Sequence, residues 1–402
     1  MNVFIAGIDG YLGWSLANYL VSRGHRIGGA DKFLRRAWVA EVGGDSVTPI
    51  RSMADRRAAF REVHGQDVEF LEGDLCDYAF VERVLREFAP DAIVHLGEVP
   101  SAPYSMIDVD HAVFTQTNNV VSTLNLLFAI RAVCPDAHLV KLGTMGEYGT
   151  PNIPIPEGFF EIEYRGRRDT LPFPRQAGSW YHWSKVHDSS NVMFACRLWG
   201  LRATDIMQGV VFGTRFDDRQ TDERLVTRFD VDQCFGTVIN RFCAQAVVGH
   251  PLTPFGTGGQ QRGFLPLQDS MACLTLVLGA PPERGEYRVF NQFAEVYSVA
   301  DLALRVQRVA ASIQLDVEVR PVANPRAERE QHYYRPDHQH LFDLGYRPTA
   351  DLDHTLRVML QDLQRLRPRL EHLRHAFMPD IRWDGTRRRS AFLAEPTPAS
   401  NA

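Results

Sequence analysis

The feature that most constrains the fold is a glycine-rich turn near the amino end of the chain. Residues 2–6 form a short apolar run, and a helical pattern spans Trp14 to Arg23. Glycines between a strand and a helix permit a tight turn, and the helix amino end then offers free N–H groups to a pyrophosphate. The pattern predicts a dinucleotide site built from Gly7, Asp9, Gly10, Tyr11, Leu12 and Gly13.

Apolar runs and helical patterns alternate through the first half of the chain. The runs typical of strands lie at 26–30, 68–72, 92–96 and 138–142, and the helical patterns at 78–88, 110–134 and 179–198. Such alternation is typical of a parallel sheet with helices on both faces. We therefore predict the α/β class, with a doubly wound parallel-sheet Rossmann domain and a smaller interleaved substrate-binding α/β domain. The predicted bounds are 1–210 for the Rossmann domain, to which parts of 236–290 return, 211–378 for the second domain and 379–402 for a flexible tail.

The residues at the ends of the second and third predicted strands indicate which dinucleotide binds. Asp31 lies about 20 residues beyond the glycines, where an acid accepts a hydrogen bond from a ribose 2′-hydroxyl and repels a 2′-phosphate. Because Arg35 and Arg36 follow closely, NADP is not excluded as the cofactor. Alternatively, these arginines bind a different phosphate or are solvated on the surface. Asp74, followed by Leu75, is either a contact to the adenine edge or the N-cap of the next helix, and the two roles can coexist.

Lysine is scarce, since only three of the 44 basic residues are lysines. Lys185 follows Tyr181 by four positions in a helical pattern, so the two side chains share one face. An ammonium group can hydrogen-bond a ribose and lower the pKa of a neighbouring tyrosine, which is the chemistry of a Tyr-x-x-x-Lys oxidoreductase site. Thr144 lies at the carboxyl end of a strand, where ligands gather in open parallel sheets. For Lys32 and Lys141 we expect chance retention in an arginine-rich chain.

The composition narrows the classes of partner. With 44 basic and 49 acidic side chains the formal charge is -5, which gives no global basic field for nucleic acid or an anionic membrane. The six cysteines show no Cys-x-x-Cys pair and no metal-ligand spacing with histidine, so we expect free thiols and no metal. The chain has neither an export-signal pattern nor an apolar run of about 20 residues that could cross a bilayer. We therefore expect a cytoplasmic protein.

Longer stretches of the chain resemble a known family. The glycine turn, Asp31, Thr144 and the tyrosine–lysine pair resemble the extended short-chain dehydrogenase/reductase family, which includes the NAD-dependent epimerases and dehydratases. Within it, nearly the whole chain is similar to the UDP-sulfoquinovose synthase subfamily, which makes a sulfolipid head group from UDP-glucose and sulfite. The segments that carry this resemblance are 101–108, 142–150, 181–188, 235–263, 288–292, Asn324-Pro325-Arg326 and His332-Tyr333-Tyr334.

The resemblance implies a reaction that regenerates its cofactor. Tyr181 would take the proton of a sugar 4-hydroxyl, Lys185 would hold the phenolate and the nicotinamide ribose, and Thr144 would share the hydrogen bond. C4 is oxidised by NAD, water leaves across C5 and C6, sulfite adds at C6, and C4 is then reduced, so NAD stays tightly bound and is regenerated in place. A further cofactor contact is implied for Asn119. The implied UDP-sugar contacts are Ser101, Tyr104, Thr144 and Gln208, with Arg262 and Arg326 on the pyrophosphate.

The loop after Thr144 departs from the common nucleotide-sugar 4,6-dehydratases. Those enzymes place an Asp-Glu pair where this chain has Met145 and Gly146, so ordinary 4,6-dehydration is disfavoured. Besides Met145, Glu147 and His182 are catalytic candidates as acid or base groups for elimination. Alternatively, they are a locally paired loop carboxylate and a histidine packed in the core.

A second departure concerns the sulfite step. Val99 and Pro100 stand where the subfamily carries Gln-Arg, which removes donors that could hold sulfite. Three functions therefore stay open. They are a synthase of the sulfoquinovose type, a UDP-sugar 4-epimerase or 5,6-dehydratase that does not use sulfite, and a non-catalytic NAD-binding regulator. By the same resemblance we expect a homodimer built from helices near 110–132 and 179–198.

Overall fold

The computed structural model describes residues 1–217, 222–349 and 351–383. The strands are β1 Asn2–Ala6, β2 Arg26–Asp31, β3 Glu69–Glu72, β4 Ala92–His95, β5 His138–Thr144, β6 Phe159–Tyr164, β7 Arg167–Pro172, β8 Arg202–Gln208, β9 Val210–Phe212, β10 Gln261–Pro266, β11 Tyr287–Gln292 and β12 Glu295–Ser298. The α-helices are α1 Tyr11–Val21, α2 Leu34–Glu41, α3 Met53–His64, α4 Tyr78–Phe88, α5 Ala102–Ser105, α6 Val109–Val133, α7 Trp180–Trp199, α8 Val238–Val247, α9 Leu267–Gly279, α10 Val299–Ala311, α11 Gln339–Asp343, α12 Leu352–Arg365 and α13 Arg367–His372. Short 3-10 helices span Met145–Glu147, Glu223–Leu225 and Arg374–Phe377.

Seven strands form one parallel sheet in the order β3-β2-β1-β4-β5-β8-β11. Val3, Phe4 and Ile5 of the central strand β1 are fully buried, which accounts for the apolar run at the start of the chain. The strand order reverses between β1 and β4, and ligands of open α/β sheets bind beyond the carboxyl ends of the strands at such a point. The predicted α/β class and parallel sheet are confirmed, and the glycine turn lies at the switch point.

Helices cover both faces of this sheet. On one face, Trp14 of α1 and Leu274 of α9 belong to a single apolar cluster with the strands. On the other face, Val84 of α4 and Val192 of α7 belong to a second cluster. Strands buried on both faces require near-continuous apolar runs, and this is the pattern that made them recognisable in the sequence.

A second core lies around the three-stranded sheet β12-β10-β9 and helices α8, α10 and α12. Phe242, Phe264 and Leu360 pack within it with at most 1% of their surface exposed. The chain crosses between the two cores more than once. Val47, from the first part of the chain, is buried in the second core, and its amide donates to the carbonyl of Phe229 at 2.9 Å.

Two segments contain structure that the sequence patterns did not indicate. The stretch 151–178 contains the antiparallel hairpin β6–β7, which turns at Arg165 and Gly166 with φ values of 52° and 74°. Two consecutive positive φ values are typical of a tight hairpin turn, and the high charge of the exposed strands concealed their alternation. In the predicted tail, Ile381 and Trp383 are buried, and residues 384–402 lie outside the described residues.

Among the described residues, no helix is long and apolar enough to cross a membrane.

Candidate active site

A large cavity formed by the described residues has a volume of about 680 Å³ and lies beyond the carboxyl ends of β1, β4, β5 and β8. Its lining combines backbone of the glycine turn, a titratable group of side chains and a cluster of arginines. The lining residues include Gly7, Gly10, Gly13, Asp31, Thr144, Tyr181, His182, Lys185, Arg241, Arg262 and Arg326. Within the described ranges, no group of three or more His, Cys, Asp or Glu side chains could hold a metal ion.

The glycine turn forms a cradle that side chains would fill. Gly7 has a φ of 89°, and a Cβ there would lie 2.6 Å from the carbonyl carbon of Leu96. A Cβ at Gly13 would lie 2.2 Å from the Gly7 oxygen. Gly10 is the N-cap of α1 and provides no side-chain cap, so the first amides of this helix are available to a ligand. The cradle therefore fits the pyrophosphate of a dinucleotide.

Asp31 lines the cavity at the end of β2, whereas Asp9 does not. The Asp31 carboxylate accepts hydrogen bonds from the amides of Asp9 at 2.9 Å and Phe33 at 2.7 Å. Burial, reinforced by the charge of Asp9, raises the pKa of Asp31 to about 6. The Asp9 carboxylate points inward to Arg36 at 2.7 Å and Arg56 at 2.6 Å. Asp9 and Arg36 are thus paired with each other instead of facing the cavity.

The other residues predicted to contact the cofactor near the glycine turn all line the cavity, but two of them are paired with other side chains. Tyr11, Leu12, Arg35, Asp74 and Leu75 line the cavity. The Arg35 guanidinium is paired with Asp230 at 2.7 Å, and Asp74 is paired with Lys32 at 2.6 Å. The alternative role of Asp74 as a helix cap is wrong, because the side chain of Asp77 caps α4.

Asn119 is fully buried and is not among the described residues that line the cavity. Its side chain accepts a hydrogen bond from the amide of Val99 at 2.7 Å and donates one to the Ser184 hydroxyl at 2.9 Å. Asn119 therefore ties the loop after β4 to α7. In that loop the Val99 side chain is buried in an apolar cluster, while Pro100 lines the cavity.

Helix α7 brings Tyr181 and Lys185 to the cavity next to Thr144, as the spacing predicted. Burial raises the pKa of Tyr181, the charge of Glu147 adds to this, and a side-chain hydrogen bond with Thr144 opposes it. The Lys185 ammonium donates to the Leu142 carbonyl at 2.6 Å and forms an ion pair with Glu98.

The charge of Lys185 is held close to its titration point. Burial lowers the pKa of Lys185 to about 8, although Asp188 and Asp205 act in the opposite direction. The ammonium form therefore predominates at pH 7. A buried cation beside Tyr181 is what a tyrosine needs in order to act as a base.

His182 borders the cavity instead of packing in the core. Its ring lies against Gly146, where a Cβ would be 2.3 Å from Nε2. Burial, with the charges of Arg262 and Arg326, lowers the pKa of His182 to about 3, so the imidazole is neutral at pH 7. Met145 also lines the cavity. A side chain at position 146 would therefore require the His182 ring to shift.

Glu147 lies beneath the cavity in a fully buried polar network and is not among the described lining residues. Its carboxylate pairs with Lys141 at 3.4 Å and accepts a hydrogen bond from Ser189 at 2.9 Å. Lys141 also pairs with Asp205 at 3.4 Å. Burial opposes the charge on Lys141, but Asp205 and Glu147 outweigh it and raise its pKa. The expectation of chance retention was wrong for Lys141, because this lysine neutralises two buried carboxylates.

Three of the arginines that line the cavity, Arg241, Arg262 and Arg326, lie close enough to repel one another. Arg262 pairs with Glu328 at 2.6 Å, and Arg326 lies beside it. Arg241 on α8 is 3% exposed, and its Nε has no hydrogen-bond partner in the described structure. Sequence reasoning missed Arg241, although an arginine inside the apolar pattern of a buried helix was an available signal.

The remaining predicted substrate contacts are also divided. Ser101 and Gln208 line the cavity. The Ser101 hydroxyl donates to the Cys234 carbonyl at 2.6 Å, and the Gln208 amide donates to Gln292 at 2.8 Å. Tyr104 is not among the described lining residues, and its hydroxyl donates to Glu41 at 2.7 Å.

The fold and the cavity together define a Rossmann-type protein in which a glycine cradle, the group Thr144, Tyr181 and Lys185, and a cluster of arginines line one cavity. The family model described as "NAD dependent epimerase/dehydratase family" matches residues 3–291, and the chain belongs to this NAD-dependent enzyme family. A chloroplastic UDP-sulfoquinovose synthase of Spinacia oleracea is 47% identical over 95% of this chain and 79% of its own length. A UDP-sulfoquinovose synthase of Sulfolobus acidocaldarius is 46% identical over 95% of this chain and 98% of its own length. The resemblance described from the sequence is confirmed.

The fold also matches solved structures. A UDP-glucose 4-epimerase of Bifidobacterium longum, in complex with NAD+ and UDP, has a TM-score of 0.69 at 16% identity and covers 91% of this chain and 100% of its own. At that identity the match shows the fold, which is the Rossmann-type fold predicted from the sequence.

Proposed function

We propose that the protein catalyses the formation of UDP-sulfoquinovose from UDP-glucose and sulfite. The observation that carries this proposal is the convergence of Thr144, Tyr181, His182 and Lys185 in one cavity with three arginines. The names of the two relatives at 46% and 47% identity support the same substrate and product.

The glycine cradle and Asp31 would hold NAD, with Lys185 at the nicotinamide ribose. Bound there, NAD supplies a reversible two-electron oxidation at C4 of the sugar. Two carboxylates near the glycine cradle differ in whether they can accept a hydrogen bond from a ribose in the cavity. Asp31 faces the cavity, whereas Asp9 is neutralised by Arg36 and Arg56. The single acid favours a ribose hydroxyl over a 2′-phosphate.

Tyr181 would take the proton of the sugar 4-hydroxyl and later return it. Burial disfavours the phenolate, and the hydrogen bond with Thr144 favours it. The Lys185 ammonium, one helical turn away, would add to this stabilisation once the sugar and NAD are bound. Lys185 keeps its proton at pH 7 while remaining close to titration. General acid–base catalysis of this kind typically contributes about 10²–10⁴-fold to the rate.

His182 would take the acidified C5 proton during elimination of water across C5 and C6. Its imidazole is neutral and borders the cavity, so it can accept a proton. Burial and the charges of Arg262 and Arg326 weaken it as a base, and a diphosphate bound to these arginines would remove the second of these two effects. The hydrogen bond between Ser179 and Nδ1, at 2.9 Å, orients the ring so that Nε2 faces Gly146. Glu147 is the weaker candidate, because its carboxylate is occupied by Lys141 and Ser189.

The UDP end would bind Arg241, Arg262 and Arg326. Planar guanidinium groups match phosphate oxygens, and three of them beside Glu328 leave a net positive charge for a diphosphate. Ser101 and Gln208 would add neutral hydrogen bonds at the sugar.

The proposal is tested by incubating the purified protein with UDP-glucose in heavy water, with and without sulfite. We expect bound NAD after purification and deuterium at C5 with or without sulfite, and we expect a sulfonate product only when sulfite is present. Tyr181→Phe should abolish the deuterium incorporation and the sulfonate product. Tyr78→Phe, which changes an exposed tyrosine of α4, should keep both. Unchanged UDP-glucose with no exchange at C5 would refute the proposal.

A second candidate function lacks the sulfite step. Pro100 lines the cavity and has no hydrogen-bond donor, which favours a UDP-sugar 4-epimerase or 5,6-dehydratase. In the same experiment this function predicts an epimer or an unsaturated sugar whether or not sulfite is added. A sulfonate product would exclude it.

We further propose a homodimer that buries one face of α6 and α7. These two helices expose an unusual number of large apolar side chains, and such a patch is typical of an interface. They are Val109, Val113, Phe114, Leu124 and Phe128 on α6 and Trp180, Trp183, Phe194 and Leu198 on α7.

All six cysteines are free thiols, which supports a reducing compartment, and we propose the cytoplasm.

A further inference from the structure

Residues 379–383 run along the wall of the cavity. Ile381 is 3% exposed and Trp383 is 8% exposed, and Trp383 is one of the residues that line the cavity. The sequence pattern had placed these residues in a tail. We call residues 379–383 the C-terminal strap.

Specific contacts hold the strap in place. The Gln233 side-chain oxygen accepts hydrogen bonds from the amides of Asp380 at 2.8 Å and Ile381 at 3.0 Å. The Ile381 side chain packs in one apolar cluster with Val99 and Phe235. At the end of the strap, the Trp383 amide donates to the Pro325 carbonyl at 3.3 Å. The strap therefore joins the segment that precedes α8 to the loop that carries Arg326.

The Trp383 ring is one of two aromatic walls around Arg326. The guanidinium carbon lies 5.5 Å from the Trp383 ring centre and 5.7 Å from that of Phe255. Burial and the charge of Arg262 disfavour the Arg326 cation, whereas Glu328 favours it. Cation–π attraction to two rings offsets part of this cost and limits where the guanidinium can lie.

We propose that Trp383 is a positioning residue for UDP binding, which acts by holding the Arg326 guanidinium toward the diphosphate. The positive charges of Arg241 and Arg262 repel Arg326. Without the Trp383 ring beside it, the Arg326 guanidinium would move away from these two arginines and would no longer be aligned with the phosphate oxygens. The inference rests on the proposed binding of a UDP-sugar. It adds a determinant from the carboxyl end of the chain, outside the family motifs recognised in the sequence.

The test is calorimetric titration of the full-length protein with UDP. Trp383→Ala should weaken UDP binding by about tenfold, and Trp383→Phe, which keeps an aromatic face, should restore most of the affinity. Met378→Ala changes an exposed side chain just before the strap and should bind like the wild type. In steady-state assays Trp383→Ala should raise KM for UDP-glucose and leave kcat unchanged.

A double-mutant cycle separates positioning from loss of folding. In an Arg326→Ala background, Trp383→Ala should cause no further loss of UDP affinity, because the side chain that it positions is gone. Equal losses in both backgrounds, or a kcat that falls with affinity, would overturn the inference. Wild-type affinity in Trp383→Ala would overturn it while leaving the proposed function intact. A wild-type protein that binds no UDP would overturn both.

Discussion

At the scale of single residues, burial and neighbouring charges give the three lysines different roles. Lys32 forms a partly exposed pair with Asp74 at the cavity rim. Lys185 faces the cavity, where burial brings its pKa to about 8. Lys141 is fully buried between Glu147 and Asp205, and these carboxylates keep it charged. Lys32 and Lys141, which we had expected to be chance retentions, therefore each pair with an acid at or below the cavity that Lys185 faces.

The first prediction compares two of these lysines. Lys141→Met leaves two buried carboxylates without their cation and should lower the free energy of unfolding by about 3–5 kcal/mol. Lys32→Met removes a partly exposed pair and should cost less than about 1 kcal/mol. Urea unfolding of the NAD-free proteins at pH 7 provides the measurement. A Lys141→Met protein as stable as Lys32→Met would contradict the role assigned to the buried network.

The second prediction concerns the pH dependence of cofactor binding. We expect the Asp31 carboxylate to accept hydrogen bonds from the ribose hydroxyls of NAD, and burial raises its pKa to about 6. Protonation therefore competes with NAD as the pH falls through 6, so affinity should be constant above about pH 7 and fall by up to about tenfold per unit below 6. Fluorescence titration of the NAD-free protein with NADH from pH 5 to 8 measures this. Asp31→Asn should bind more weakly at pH 7 with a flat profile, and a flat wild-type profile would disprove the assignment.

At the scale of elements, α7 connects folding to chemistry. Its N-cap Ser179 accepts a hydrogen bond from the amide of His182 at 3.2 Å and also contacts the His182 ring at 2.9 Å. Tyr181, next to His182, and Lys185, one helical turn beyond Tyr181, line the cavity. The cap at the start of this helix therefore orients the His182 ring together with the backbone.

The third prediction follows from this cap. Ser179→Ala should lower the free energy of unfolding by about 1 kcal/mol, because one amide at the start of α7 loses its acceptor. It should also slow C5 exchange, because the His182 ring loses its partner. Ser190→Ala, at an exposed position of the same helix, should change stability by less than about 0.5 kcal/mol and leave exchange intact. Equal behaviour of the two variants would argue against a role for the cap.

At the scale of the whole molecule, two cores meet around one cavity, and one helical face remains uncovered. The Rossmann core supplies the glycine cradle and α7, while α8 and the loop at Arg326 supply the arginines. The exposed apolar side chains of α6 and α7 lie on helices that also carry site residues, such as Tyr181. A partner subunit on this face would support α7 from outside.

The fourth prediction tests that face. Phe194 is 61% exposed on α7, and Phe194→Glu should convert a dimer to a monomer at micromolar concentration, because a charge would be buried without a partner. Leu304→Glu changes a side chain on α10 that is 57% exposed and should leave the dimer intact. Size-exclusion chromatography with light scattering distinguishes the two. A dimeric Phe194→Glu protein would place the interface elsewhere.

Short-range sequence patterns were sufficient to predict the strands of the parallel sheet and part of the candidate site. The strands of the parallel sheet were recognisable because burial on both faces demands apolar runs, and Tyr181 and Lys185 were recognisable because a four-residue spacing places both on one helix face. The hairpin β6–β7 was missed, since its strands are largely exposed and therefore lack an apolar pattern. Arg241 was missed because a helix position alone does not show which side chain faces a cavity.

The sequence by itself determined the Rossmann sheet, the glycine cradle and the tyrosine–lysine pair, since each depends on periodicity or spacing within one segment. Only the tertiary structure decided which charged groups face the cavity and which neutralise one another below it. The pairing of Lys141 with Asp205 joins residues 64 positions apart, and that of Gln233 with the strap joins residues 147 apart. Contacts at such separations depend on how the elements pack, which local sequence patterns do not encode. Trp383, expected in a tail, accordingly lies in the wall of the cavity, and Glu147 has the second of the two placements left open by the sequence, paired below the cavity.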